Sequence, residues 1–231
     1  MSGSLAESIV SLTTWIVPLL LAITLHEAAH GYAALVFGDD TAKRAGRLTL
    51  NPINHIDAFG TVILPGMLML LGSPFLFGYA KPVPVNFWAL KKPKRDMIWV
   101  AAAGPGMNVA LAFVSALLLH VTDAIGGSAG QWLGANLENS MVINLVLAVF
   151  NMIPIPPLDG GRVAVGILPP ALARPLASVE RYGFMILLGL LFFLPYLGQA
   201  IGLNISIFQS LVLPVVKWLY SLILTLAGWG A

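Results

Sequence analysis

Six stretches of this sequence, roughly 9–37, 59–77, 97–120, 140–155, 183–201 and 206–229, are apolar and almost free of charge. A helix needs about 20 such residues to cross the hydrocarbon of a bilayer. Inside that hydrocarbon the backbone must satisfy its own polar groups, which favours helices as the spanning element. Composition agrees with this: 58% of the 231 residues are hydrophobic and only 10% are charged, whereas a water-facing domain carries about a quarter. The net charge is only +2 and the basic residues are scattered, so a basic nucleic-acid-binding face is excluded. The chain is read as an all-α polytopic membrane protein with about five to six transmembrane helices. It is expected to form a single membrane-embedded domain over 1–231, with a core at 9–165 and C-terminal helices at 180–231. There is no cysteine, hence no disulfide, thiolate ligand or Cys nucleophile. The N-terminal residues lack the basic start of a cleaved signal, so the first span is expected to remain.

Basic residues set the expected orientation. Lys43, Arg44 and Arg47 follow the first apolar stretch, and Lys81, Lys91, Lys92, Lys94 and Arg95 follow the second. Arg162, Arg174 and Arg181 follow the fourth, while the connectors after the third and fifth carry none. If all six stretches crossed, the two richest basic connectors would face opposite sides, against the positive-inside tendency. If 59–77 instead dips in and returns, every basic connector is cytoplasmic. That segment is short and broken by Pro65, Gly66, Gly72 and Pro74. The expectation is therefore five spans plus a re-entrant segment, with the N-terminus outside.

The first span contains His26-Glu27-Ala28-Ala29-His30. Histidines at i and i+4 share one helix face, about 5–6 Å apart at Cβ. The pair suits two imidazoles on one Zn²⁺, with Glu27 poised between them as a general base. With 4 histidines in 231 residues, the pattern arises by chance in roughly one such chain in a thousand. Three ionisable groups inside an apolar helix are costly unless paired or functional. A polar helix-packing cluster without metal is the plainer alternative.

Catalytic zinc usually takes a third protein ligand. His55 and Asp57, in the turn-like Asn51–Asp57 stretch, compete for that place, and His120 is a weaker, interfacial candidate. Asp39, Asp40 and Asp96 read as interfacial charges. Asp159 is better placed, in Asn151-Met152-Ile153-Pro154-Ile155-Pro156-Pro157-Leu158-Asp159-Gly160-Gly161. Its prolines end the helix and force extended backbone, and the glycine pair permits a tight turn. For His26, His30 and Asp159 to meet, the first span and 140–155 must run the same way. One of the intervening stretches must then fail to cross, and charge had already nominated 59–77.

His-Glu-x-x-His in one span with a distant Asn-x-x-Pro-x-Pro-x-Leu-Asp-Gly resembles the site-2 protease family of intramembrane zinc metalloproteases. Gly78–Asn86 and Ala103–Asn108 resemble its short bacterial and archaeal members, so the likeness covers residues 20–165. The resemblance implies one zinc on His26, His30 and Asp159, Glu27 as catalytic base, and cleavage of membrane-spanning protein substrates in the bilayer. It also implies a role for Asn151 as an oxyanion donor or a clamp on substrate backbone. The PDZ and CBS modules of many relatives have no room in this chain. Residues 46–50 and 79–85 alternate well enough for a small cytoplasmic β element, with Pro82 and Pro84 confining the latter to an edge. Gly104, Pro105, Gly106 and Asn108 read as small-residue helix packing. A metal transporter or channel is the competing function, but it would show repeated halves with paired broken helices. No such repeat is visible.

Overall fold

The computed structural model describes residues 5–70, 80–202 and 206–229, and every regular element among them is helical. Five helical runs are long and apolar enough to cross a membrane: Val10–Val36, Pro93–Ile125, Gly127–Asn151, Pro170–Ala200 and Phe208–Leu226. The helices that matter most are α1 (Leu5–Val36), α2 (Pro93–Leu118), α3 (Gly127–Asn151), α4 (Asp159–Ile167), α5 (Pro170–Ser178) and α6 (Leu213–Leu226).

Local sequence accounts for several boundaries. Helix α2 opens with Pro93 in its first turn, where a missing N–H costs nothing. Asp96 accepts a hydrogen bond from the Lys92 N–H at 2.7 Å and closes that helix start. Three π-helical turns, 58–63, 189–193 and 208–212, each end two residues before a proline: Pro65, Pro195 and Pro214. A proline removes one i→i−4 bond and crowds the preceding turn, which a wider turn relieves.

One expected boundary moves substantially. The fourth apolar stretch, read as 140–155, is the second half of α3, which begins at Gly127. Its first half is too polar to read as a span because its polar groups are spent on neighbouring helices. Asn139 Nδ2 donates to Thr14 O at 2.9 Å, and Trp132 Nε1 donates to Thr13 Oγ1 at 2.9 Å. Ser115 Oγ donates to Ser140 Oγ at 2.8 Å.

These contacts also fix directions. The start of α1 meets the first half of α3, so the two run parallel. The start of α2 meets the end of α1, since His30 Nδ1 lies 2.7 Å from Val100 O, so α2 runs antiparallel to both. Helix α1 ends and α2 begins at the same end of the bundle. Residues 37–92 therefore make no net passage along it. Residues 58–63 form a π turn and Leu64–Leu70 a short helix, while 71–77 of the expected re-entrant segment lie outside the described residues.

An apolar core joins α2, α3, α6 and the π turn before α6 through Ala112, Ala116, Met141, Leu145, Val212 and Val216. Many large apolar side chains face outward, among them Trp15, Leu21, Phe193 and Trp218. That is the surface of a body immersed in hydrocarbon. The expected β element does not form among the described residues. Residues 47–50 and 80–86 are extended, but they bond to side chains and turns instead of to each other as a ladder. Lys81 N–H donates to His55 O at 2.9 Å, and Arg47 Nη2 donates to Lys81 O at 3.1 Å. Tyr79, at the edge of that reading, lies outside the described residues.

Candidate metal centre

Helix α1 carries His26 and His30 on the face that packs on α2. Asp159, the first residue of α4, is brought to them by the proline-rich turn that follows α3. Its Oδ2 lies 3.2 Å from His26 Nε2 and 3.3 Å from His30 Nε2. The two Nε2 atoms are 3.0 Å apart. Among the described residues, His26, His30 and Asp159 are the group able to hold a metal ion. Asp159 is 6% exposed and His26 7%.

Hydrogen bonding decides what these atoms can do. Val100 O is a backbone carbonyl and can only accept, so the hydrogen of His30 sits on Nδ1. His26 Nδ1 lies 2.5 Å from Asn108 Oδ1. The Asn108 nitrogen is turned toward Ala22 O at 3.3 Å, another obligatory acceptor, so its oxygen must be the atom facing His26. Both imidazoles thus carry hydrogen on Nδ1 and a lone pair on Nε2. The 3.0 Å contact between the two Nε2 atoms is then no hydrogen bond, because neither has a proton to give. Asp159 Oδ2 is likewise buried without a hydrogen-bond partner. Three lone-pair donors converge, and a cation would resolve their repulsion. Ligands around tetrahedral zinc at about 2.0–2.1 Å lie roughly 3.4 Å apart, so the donor set and its spacing fit the ion.

The approach of helix to helix here requires a glycine. A Cβ on Gly104 would lie 2.4 Å from His30 Nε2 and 2.6 Å from His26 Nε2. Val100, Gly104 and Asn108 recur every four residues on one face of α2, which forms the back wall of the site. Gly160 and Gly161 have no positive φ, so they do not serve the tight turn expected of them. They allow close approach instead: a Cβ on Gly160 would be 2.2 Å from Met152 O, and one on Gly161 2.3 Å from Pro156 N.

Glu27 is half-buried on the same stretch of α1, and its Oε2 accepts a hydrogen bond from the Val83 N–H at 2.8 Å. Val83 lies between Pro82 and Pro84, neither of which has an N–H. The competing ligands are engaged elsewhere. His55 is buried and its Nε2–H donates to Thr49 O at 2.9 Å. Asp57 accepts from Phe59 and Gly60 N–H at 3.1 and 2.7 Å as the cap of the next helical turn. His120 stacks on Trp229 and donates to Ala227 O at 2.7 Å, toward the other end of α2. Asn151 donates to Leu147 O of its own helix at 3.0 Å and is not joined to the triad.

Two expectations about carboxylates are corrected. Asp39 and Asp96 are 1% and 4% exposed, not interfacial charges. Asp39 accepts from the Thr41 N–H at 3.0 Å, the Thr41 hydroxyl, and the Asn86 N–H at 2.6 Å. It ties the turn after α1 to the extended segment that carries Val83. Burial pushes its carboxyl up, but the bonds from Thr41 and Asn86 and the nearby Arg44 outweigh that and hold it below the usual range. Asn108 packs between helices as expected, and its amide also engages His26. Its signal was present in the sequence: an amide four residues after a glycine, inside an apolar helix.

Residues 126–194 match the model of peptidase family M50. "Putative zinc metalloprotease YwhC" of Bacillus subtilis (strain 168) is 41% identical over 177 residues, covering 75% of this chain and 77% of the relative. The chain belongs to peptidase family M50. A second relative, "Putative zinc metalloprotease Rip2" of Mycobacterium tuberculosis (strain ATCC 25618 / H37Rv), is 32% identical over 204 residues, covering 88% of this chain and 71% of its own. A 64-residue segment is 48% identical to "Putative zinc metalloprotease MJ0611" of Methanocaldococcus jannaschii. No solved structure matches the chain. Membership of M50 bears out the site-2 protease resemblance drawn from the motifs.

Proposed function

We propose that this protein is an intramembrane zinc endopeptidase that hydrolyses peptide bonds in or near the transmembrane segments of membrane-protein substrates, with residues 1–231 acting as one catalytic unit. The observation that carries this reading is the convergence of three lone-pair donors, His26 Nε2, His30 Nε2 and Asp159 Oδ2, next to a glutamate on the helix that holds both histidines. Those three residues hold the zinc. When bound, zinc lowers the pKa of a coordinated water and polarises a carbonyl.

The chain's own residues supply the rest. Glu27 is the general base: one carboxylate oxygen is oriented by the Val83 N–H, which leaves the other to take a proton from the attacking water. Asn108 and Val100 orient the two imidazoles. The hydrocarbon-facing helices exclude bulk water from the bundle. Asn151, at the end of α3, can release Leu147 O and turn its amide to a substrate carbonyl. A substrate helix must first unwind, since its amides are otherwise locked in its own hydrogen bonds.

The extended segment 80–86 is a suitable surface for unwound substrate. With prolines at 82 and 84, its outer edge offers only acceptors, so it would pair with substrate N–H groups and leave substrate carbonyls free. On this reading α1 starts outside and ends at the cytoplasmic face, where α2 begins and where the basic connectors and the metal site lie. Support comes from the shared end of α1 and α2 and from the positive-inside tendency. A transporter reading has no use for Glu27 between the histidines.

The test is cleavage of a transmembrane reporter by the purified protein in liposomes, with Glu27→Gln alongside. Cleavage should be lost in the variant while zinc is retained. Undiminished cleavage by Glu27→Gln would end the proposal.

A further inference from the structure

We infer that Asn108 is a positioning residue for the metal site: its amide locks His26 in the tautomer and orientation that point Nε2 at the ion, and Asn144 holds that amide in place. The inference rests on His26 being a zinc ligand.

The two histidines are supported differently. His30 is held by a main-chain carbonyl, Val100 O, which no substitution removes. His26 is held by a side chain, Asn108 Oδ1 at 2.5 Å, and a side-chain amide has two orientations. Turned one way it accepts from Nδ1–H and leaves Nε2 free for metal. Turned the other way it donates to Nδ1, which would move the imidazole hydrogen to Nε2 and block the ligand position. The bundle selects the first. Asn108 Nδ2 is 3.3 Å from Ala22 O and 2.8 Å from Asn144 Oδ1, and rotation would set oxygen against oxygen at the backbone carbonyl. Asn144 is fixed in turn, because its Nδ2 donates to Ser140 O at 2.8 Å and lies 3.2 Å from Ser140 Oγ. Ser115 donates to Ser140 Oγ at 2.8 Å.

The polar chain Ser115–Ser140–Asn144–Asn108–His26 thus crosses from α2 to α3, back to α2 and then to α1. Donation runs outward from the metal ligand, from His26 to Asn108 to Asn144 to Ser140, and Ser115 donates to Ser140 from the other side. Asn108 and Asn144 are 0% and 1% exposed, so no water competes for these bonds. Buried amides among apolar helices are costly unless every group is satisfied, and here each bond of Asn108 serves the ligand or fixes the group that serves it.

The experiment measures zinc affinity, by chelator competition on purified protein, and the visible spectrum of the cobalt-substituted form. Asn108→Leu keeps the size but removes the acceptor. It should weaken zinc binding about 10–100-fold and change the cobalt spectrum. Asn108→Asp keeps an oxygen that accepts from His26 Nδ1–H and should restore both readouts. Asn144→Leu should fall between wild type and Asn108→Leu, and Ser115→Ala, at the far end, should match wild type. If Asn108→Leu does not fold, Asn144→Leu and Asn108→Asp still decide the matter: wild-type zinc binding in the first would overturn the inference, as would lost binding in the second. Zinc binding of Asn108→Leu equal to wild type would overturn it too. His26→Ala separates the two levels. Zinc retained in His26→Ala removes the site assignment itself, whereas zinc lost there but kept in Asn108→Leu removes only the role of Asn108.

Discussion

Gly104→Ala adds one methyl group at the back of the metal site, and the geometry says what it meets. The new Cβ would lie 2.4 Å from His30 Nε2, 2.6 Å from His26 Nε2 and 2.6 Å from His30 Cε1, where ordinary contact begins near 3.4 Å. The rings cannot swing away freely, because each is pinned through Nδ1, one to Asn108 and the other to Val100. Relief therefore requires α1 and α2 to part by roughly 1 Å, and a displacement of that size can cost about 100-fold in catalysis. Overpacking of this kind costs about 1–3 kcal/mol of stability, against a gain of about 1 kcal/mol from replacing glycine in a helix. Gly106→Ala is the matched control: it lies in the same helix two residues on, and its Cβ would meet nothing within 4 Å. The assay is zinc content after dialysis against a weak chelator, together with reporter cleavage. Gly104→Ala should lose zinc and about 100-fold of activity, while Gly106→Ala should be unaffected or slightly more stable. Full zinc content and activity in Gly104→Ala would show that the ligands do not sit where they are placed here.

Three further outcomes are expected. Val83→Pro removes the N–H that orients Glu27; a hydrogen bond to a charged group is worth about 1.5–3 kcal/mol, so kcat should fall about 10–100-fold with zinc content unchanged, and an unchanged kcat would refute that orienting role. Asp39 is held below its ordinary pKa, so its contribution to stability is present above about pH 4 and fades as pH falls further. Asp39→Asn should flatten that part of the stability profile, and identical acid unfolding of the two proteins would contradict it. Chelation of zinc should lower Tm, because an ion at 1,000 times its Kd adds about 4 kcal/mol to the folded state; a Tm indifferent to chelator would argue against a metal centre in the folded bundle.

How much of this was legible before the fold was known differs from residue to residue. His26, Glu27 and His30 are local, since covalent spacing alone puts the histidines on one helix face. Asp159 is not local. It was reached through its proline-rich setting and the demand that two spans run parallel, and α1 and α3 do run parallel. The polar half of α3 was invisible to hydropathy because Asn136, Asn139 and Ser140 lower the average, although Asn139 and Ser140 find partners on other helices. Residues 46–50 and 79–85 were read as a small β element from alternation, yet alternation does not say what the N–H groups will find, and here those of Lys81 and Val83 find His55 O and Glu27. Asn108 and Gly104 were seen only as small-residue packing. Their roles depend on which face of α2 meets α1, which one helix cannot specify.

Zinc K-edge absorption on the purified protein, with metal stoichiometry from the same sample, examines the site at its foundation. One zinc per chain is expected, bound by nitrogen and oxygen at about 2.0–2.2 Å with the scattering signature of two imidazoles, and that zinc should be lost in His26→Ala. Absence of zinc, or a ligand shell unchanged by His26→Ala, would contradict a centre built on His26, His30 and Asp159.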